Sequence, residues 1–150
     1  MTPIGYQVTI DAHDPYAQAR FWAAALGYTL EDHDPAIRHL LAEGHATDED
    51  VIELDGQLYW RTAAAIRHPD DLDVGPFADP APRRLLFVAV PEPKTVKNRV
   101  HIDLNVGRDR IDAEVERLIA LGAREQGRVD EPGAFHTVLT DPEGNEFCVQ

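Results

Sequence analysis

The sequence predicts an α+β fold in which two βαβββ modules enclose a small-molecule cavity. Three observations carry that expectation. A strand followed at once by a capped helix opens each half of the chain, three strand-like segments follow each helix, and a 150-residue chain suits one domain that can bury a core without disulfides.

The first strand is GYQVTID, where Val8 and Ile10 alternate with Gln7, Thr9 and Asp11, the period of a strand with one apolar face. A helix follows. Asp14 is placed to cap it, Pro15 suits its first turn and Gly27 suits a left-handed stop. Phe21, Trp22, Ala25 and Leu26 form the stripe expected to lie on the strand's apolar face. YTLE, LYWRTAAAI and RRLLFVAV then read as three strands. The module also carries an insertion over 35–56, with a short helix at AIRHLLAEG and an acidic turn at ATDEDVIEL, and a Pro- and Asp-rich loop over 68–83.

The second half repeats the pattern. VHIDLNV puts Val100, Ile102, Leu104 and Val106 on one side and His101, Asp103 and Asn105 on the other. Asp109 is the expected cap of the second helix, Ile111, Val115, Leu118 and Ile119 its apolar stripe, and Gly122 its stop. AREQG, AFHTVLT and NEFCVQ are the three strands, the last two joined by a tight turn at DPEGN. The chain thus reads as one domain over 1–150, with module one at 4–92, a connector at 91–98 and module two at 99–150.

Composition narrows the partners. Hydrophobic residues make up 43% and charged residues 27%, ordinary values for a folded, soluble protein. A formal charge of −13, spread over both halves, would repel a phosphate backbone or an anionic lipid surface, which argues against nucleic acid and membrane partners. Cys148 is the one cysteine, so no disulfide forms within the chain. The opening MTPIGYQVTI lacks the basic and apolar regions of a leader, and the expected location is the cytoplasm.

In each module the polar side of the first strand faces away from its helix and needs water, a ligand or a partner. The same alternation sends Leu86 and Val88 in the first module, and Glu146 and Cys148 in the second, to that polar side. Phe87 and Phe147 then pack under the helices. Tyr59, Trp60 and His136 fall on strands that could contribute a cavity wall. His13, His33, His39, His45 and His68 have no metal-ligand spacing and read as surface residues. No Walker A loop, GxGxxG fingerprint or GxSxG elbow is present, which excludes the usual nucleotide-binding and serine-hydrolase readings.

The motifs VTIDAHDPYAQARFWAAALGY, PEPKTVKNRVHIDLNV and TDPEGNEFCV resemble the glyoxalase-like branch of the vicinal-oxygen-chelate superfamily, and the resemblance covers nearly the whole chain. That superfamily includes glyoxalase I, extradiol dioxygenases, fosfomycin-resistance enzymes and bleomycin-binding proteins. Its catalytic members hold a divalent metal with one residue from the first and one from the last strand of each module. The resemblance places those four positions on Gln7, Val88, His101 and Cys148. Valine cannot coordinate, so no cofactor is assigned; a divalent ion such as Ni, Zn, Mn or Fe would have Gln7, His101, Glu146 and Cys148 to hold it.

Two functions follow from the resemblance. One is a lyase, isomerase or dioxygenase-type enzyme in which His101 and Glu146 handle protons, Glu146 requiring a raised pKa to act as base, while Gln7, Thr9, Trp60, Val88, Asp103, His136 and Cys148 contact the substrate. The alternative is a protein that sequesters a drug or metabolite without transforming it, as bleomycin-binding relatives do. The partner in both is a small molecule, and pairing into a homodimer is expected by analogy with relatives. Plain structural roles stay open for His101, as a hydrogen-bonded histidine, for Cys148, as a small buried hydrophobe, and for Glu146, as the partner of a nearby Arg.

Overall fold

The computed structural model describes residues 4–150; Met1 to Pro3, part of the opening read above for a leader, lie outside the described residues. The chain divides into two compact units, Met1–Pro91 and Glu92–Gln150, each a mixed α+β assembly. Among the described residues no helix is long and apolar enough to cross a membrane.

In the first unit, strand β1 (Val8–Ala12) runs into helix α1 (Pro15–Leu26). The Asp14 carboxylate accepts the Ala17 N–H at 3.0 Å, which satisfies one of the free donors of the first turn. Gly27 ends the helix at φ 68°, a conformation that a Cβ would strain. Strands β2 (Thr29–Leu30), β5 (Ala63–Arg67) and β6 (Arg84–Ala89) complete a sheet ordered β1-β6-β5-β2. β1 pairs with β6 in parallel, Thr9 opposite Leu86 and Asp11 opposite Val88. Helix α1 packs on β5 and β6, burying Phe21, Trp22 and Ala25 together with Phe87, Ala64 and Ile66.

The insertion is larger and more ordered than a surface turn. Helix α2 (Asp34–Ala42) is followed by a hairpin of β3 (Val51–Leu54) and β4 (Gln57–Trp60), so the inserted structure covers 34–60 rather than 35–56. It has an apolar cluster of its own, in which Ile37, Val51 and Leu58 are buried and Leu41 and Trp60 pack against them. LYWRTAAAI is therefore two strands, not one. Arg61 separates them by donating from Nε to the Glu49 carbonyl at 2.8 Å and from Nη2 to the Val51 carbonyl at 2.6 Å. That break assigns Tyr59 and Trp60 to the hairpin and leaves Ala63–Arg67 to the main sheet.

The second unit repeats the topology. Strands β7 (Asp103–Leu104), β8 (Arg124–Glu131), β9 (Ala134–Thr140) and β10 (Glu146–Val149) form a sheet ordered β7-β10-β9-β8, and β7 again pairs in parallel with the last strand. Helix α3 (Ile111–Leu121) packs across β8, β9 and β10. Ile111, Val115 and Leu118 are buried on its inner side, and Leu139, Phe147 and Val149 are buried in the sheet.

Three expectations for this unit need correction. The first strand covers only Asp103–Leu104, and Val100 is 83% exposed rather than part of an apolar face. Asp109 does not cap the helix: Gly107, at φ 85°, opens a single 3-10 turn over Arg108–Arg110, and α3 starts after it with no side-chain cap. Ile119 lies at the stripe's edge and is exposed. Gly122 does end the helix, at φ 115°.

The first sheet's face away from α1 carries a charged cluster. Glu31 accepts from Arg67 Nε at 2.7 Å and from Arg84 Nε and Nη2 at 2.7 and 2.9 Å, with His33 Nε2 at 3.3 Å. Arg67 also donates to the Val74 carbonyl, and Arg83 holds Asp71 at 2.9 Å, so the loop over 68–83 is tied at both ends. The surrounding donors, His33 and Arg84 before Arg67, hold the Glu31 carboxyl well below the usual carboxylate range against the opposing effect of burial. A depressed pKa contributes stability that is present above the ordinary carboxylate pKa and is lost as pH falls through the folded-state value. Glu31→Gln is therefore expected to destabilise the protein at neutral pH by roughly 2 kcal/mol, less than a fully buried pair would lose because the cluster's edge meets solvent. Chemical denaturation as a function of pH checks this: the gap between the two proteins should narrow below pH of about 4, and a gap independent of pH would contradict it.

Candidate functional site

The faces that Glu146 and Cys148 present depend on the turn before β10. Asp141 is fully buried, and its Oδ1 accepts the backbone N–H groups of Glu143 at 3.0 Å and Asn145 at 2.9 Å. The Gly144 N–H closes the turn on the Asp141 carbonyl at 3.0 Å. This Asx-type turn sets the register of β10 on β9, with Glu146 opposite Thr140 and Cys148 opposite Val138.

The parallel ladder then brings the other edge into line. The Cys148 N–H donates to the Ile102 carbonyl at 3.1 Å and the Gln150 N–H to the Leu104 carbonyl at 2.9 Å, so Cys148 lies beside Asp103. Because alternate residues share a face, Asp103, Glu146, Cys148 and His136 all stand on the side opposite Phe147 and Leu139. His101, two residues before Asp103, joins them: its Nδ1 lies 2.8 Å from Asp103 Oδ1. One ligating atom from each of His101, Asp103 and Cys148 falls within 4.8 Å of the others, the one such His/Cys/Asp/Glu group among the described residues.

These three groups differ in what they can do. The His101 and Asp103 side chains are 39% and 37% exposed, at the sheet's edge, and the hydrogen bond leaves Nε2 of the imidazole to face a ligand once the carboxylate holds the proton of Nδ1. Cys148 is buried. Burial pushes its thiol pKa up, and the neighbouring Asp103 charge pushes it further, so the free protein holds a thiol rather than a nucleophilic thiolate at neutral pH.

Glu146 is turned to another task. Its Oε2 accepts the Asn98 N–H and a Lys94 ammonium hydrogen bond, both at 3.0 Å, and with the Asn98 bond as the main cause its pKa is lowered to about 2. A base with a raised pKa is not what this carboxylate is. It clasps the connector segment onto its own sheet, and neither Lys94 nor the Asn98 amide stands out in PEPKTVKN before the strands are paired.

The first sheet places its counterparts differently. Gln7 and Thr9 stand as His101 and Asp103 do, and Thr9 faces Leu86 as Asp103 faces Cys148. Leu86, not Val88, is thus the counterpart of Cys148; Val88 lies opposite Asp11 and is half-buried. The Gln7 amide donates to Thr9 Oγ1 at 3.4 Å and its oxygen accepts from Arg84. With an aliphatic side chain at either closing-strand position and the Gln7 oxygen already engaged, the four-residue metal arrangement implied by the resemblance does not fit these residues.

The remaining expected contacts are scattered. Trp60 packs with the insertion's apolar cluster, and Tyr59 packs against Tyr16 with ring centroids 4.4 Å apart and the planes tilted by 48°. His136 is half-buried on β9, opposite Val129 of β8. His33 and His68, read as surface residues, are half-buried, His33 beside Glu31 and His68 edge-on to Tyr28 at 5.2 Å.

The Asp103 charge next to Cys148 has a measurable consequence. Asp103→Asn is expected to lower the midpoint of the pH profile for Cys148 alkylation, since the Asp103 charge and hydrogen bond that add to burial in raising it are removed. Iodoacetamide labelling rates across pH check it, and an unchanged midpoint would mean that the two groups do not sense each other.

The comparisons agree with this architecture. No curated protein matches the chain. A glyoxalase/bleomycin resistance protein/dioxygenase family enzyme from Burkholderia phytofirmans is 16% identical at a TM-score of 0.57, over 95% of this chain and 94% of that one. The fosfomycin resistance protein FosX from Listeria monocytogenes, complexed with Mn(II) and a dihydroxypropylphosphonic acid, is 10% identical at a TM-score of 0.58, over 100% of this chain and 90% of that one. The bleomycin-binding protein from Streptomyces verticillus, complexed with copper(II)-bleomycin, is 16% identical at a TM-score of 0.54, over 100% and 97%. At these identities the likeness is one of fold. A family model described as a glyoxalase-like domain matches residues 7–150, and the chain belongs to that family.

Proposed function

We propose that the protein binds a small oxygen-bearing molecule on the open face of the second sheet, where the His101 imidazole, oriented by Asp103, is the group that engages it. The observation that carries this is the 2.8 Å contact between His101 Nδ1 and Asp103 Oδ1 at a partly exposed sheet edge. A carboxylate-held imidazole presents one defined nitrogen, which can accept a hydrogen bond from a ligand hydroxyl or take its proton. Cys148 supplies an uncharged wall beside it. The proposal takes the whole chain as one glyoxalase-like domain, with modules at 4–92 and 99–150, in a cytoplasmic homodimer.

Turnover of the lyase, isomerase or dioxygenase kind would use His101 as the proton carrier, with Glu146 left as a clasp for the connector. Sequestration without chemistry is the second reading, and the sealed Cys148 thiol and ion-paired Glu146 favour it by removing two reactive groups from the face. Structural relatives bind a phosphonic acid in one case and bleomycin in another, which sets the classes of probe.

Thermal melts and calorimetry with fosfomycin, dihydroxypropylphosphonic acid, bleomycin and a panel of small hydroxy-carbonyl compounds test the proposal. At least one compound should raise the Tm. His101→Ala should leave the unliganded melt unchanged and weaken that binding about tenfold, the worth of one polar contact. A shift that survives His101→Ala intact, or no shift with any probe, would remove the proposal; product formation in the same samples would decide between turnover and sequestration.

A further inference from the structure

We infer that the end of helix α2 carries a cation site, made of His39, Glu43 and His45, that takes a divalent ion of the zinc class. The site lies in the insertion of the first unit, shares no residue with the ligand face proposed above and stands or falls without it. It also revises the reading of His39 and His45 as plain surface residues.

The segment HLLAEGH conceals the grouping, because no second histidine stands four places after His39. Glu43 holds that place, and residues four apart share one side of a helix. His45 arrives by a turn. Helix α2 ends at Ala42, and beyond it the Gly44 N–H donates to the Leu41 carbonyl at 3.1 Å and the His45 N–H to the Leu40 carbonyl at 2.8 Å. This paired stop folds the chain back on the helix and uses the positive φ of Gly44, 73°, which a side chain would strain. Glu43 Oε2 consequently has His39 Nε2 at 3.3 Å and His45 Nδ1 at 3.7 Å.

Those two separations suit an ion. Donors held about 2.0–2.2 Å from a tetrahedral ion stand roughly 3.4 Å apart. Only the two imidazoles must approach each other, since the three donor atoms do not all fall within 4.8 Å of one another. All three side chains are exposed, with room to rotate while the backbone stays in place. Charge favours a cation here as well. The carbonyls of the last helical turn carry partial negative charge, and residues 43–55 hold six carboxylates and no lysine or arginine.

The donor types select the ion. Two imidazoles and one carboxylate favour zinc, nickel or copper over magnesium and calcium, which take oxygen ligands. The ion would hold closed the turn that follows Leu41, a residue packed on the insertion's apolar cluster.

The test uses the full chain, purified without a metal-affinity step and stripped with chelator. Long-range nitrogen NMR follows the rings of all seven histidines as Zn(II) is added, with Mg(II) as the control. The His39 Nε2 and His45 Nδ1 signals should move together and reach their end point at one equivalent, ahead of His101. His39→Ala and His45→Ala should each weaken Zn(II) binding at least about tenfold, and Glu43→Gln about tenfold. Gly44→Ala removes no donor, yet it should weaken binding severalfold because the ion must restore the strained turn. The two histidine variants should leave the metal-free melt unchanged, so that lost binding is not lost folding. Movement of His101 with His39 and His45 still in place overturns the inference, as does a His39 shift that survives His45→Ala. So does a shift that Mg(II) reproduces, or no movement of either ring by about 1 mM Zn(II).

Discussion

The parallel pairing of β7 with β10 is the constraint on which the rest depends. It is a two-residue ladder, Cys148 opposite Asp103 and Val149 opposite Leu104, yet it decides which side chains share a face. Its register comes from the other end of β10, where the buried Asp141 carboxylate and the Gly144 turn leave the strand no choice of offset on β9. A slip of one residue would turn Cys148 toward α3 and Phe147 toward the open side, and burying Phe147 opposes that slip. The polar corner is thus held in place by an apolar residue that takes no part in it.

The two units use one topology for different ends. In both, the first strand pairs in parallel with the last, and the face away from the helix collects polar groups. In the first unit those groups satisfy each other: Glu31 is shared by two arginines, and Arg84 also takes the Gln7 oxygen. In the second, Glu146 is satisfied by the connector, while His101, Asp103 and Cys148 satisfy one another only in part. Charge that is internally paired stabilises and positions a loop, whereas a partly paired edge group is available to a ligand.

Local grammar was legible from the residues. Asp14, Pro15 and Gly27 bound α1 as expected, Gly122 ends α3, and DPEGN makes its turn, because each depends on neighbours within a few positions. What failed depends on partners far away in sequence. Arg61 splits one expected strand into two by reaching carbonyls of Glu49 and Val51. Leu86 displaces Val88 as the counterpart of Cys148 only once register is known. Glu146 is a clasp because Lys94 and Asn98 return to it across some fifty residues. The Asp109 cap failed for a local reason, since Gly107 at positive φ starts a 3-10 turn that takes the capping position away.

The most direct measurement of the central claim is the tautomer of His101 by long-range nitrogen NMR of the imidazole ring in the metal-free protein at a pH where the ring is neutral. The geometry requires the proton on Nδ1, held by Asp103, and a change in that nitrogen's shift in Asp103→Asn. A proton on Nε2, or a spectrum indifferent to Asp103, would show that the two side chains do not meet and that the polar corner has been misplaced.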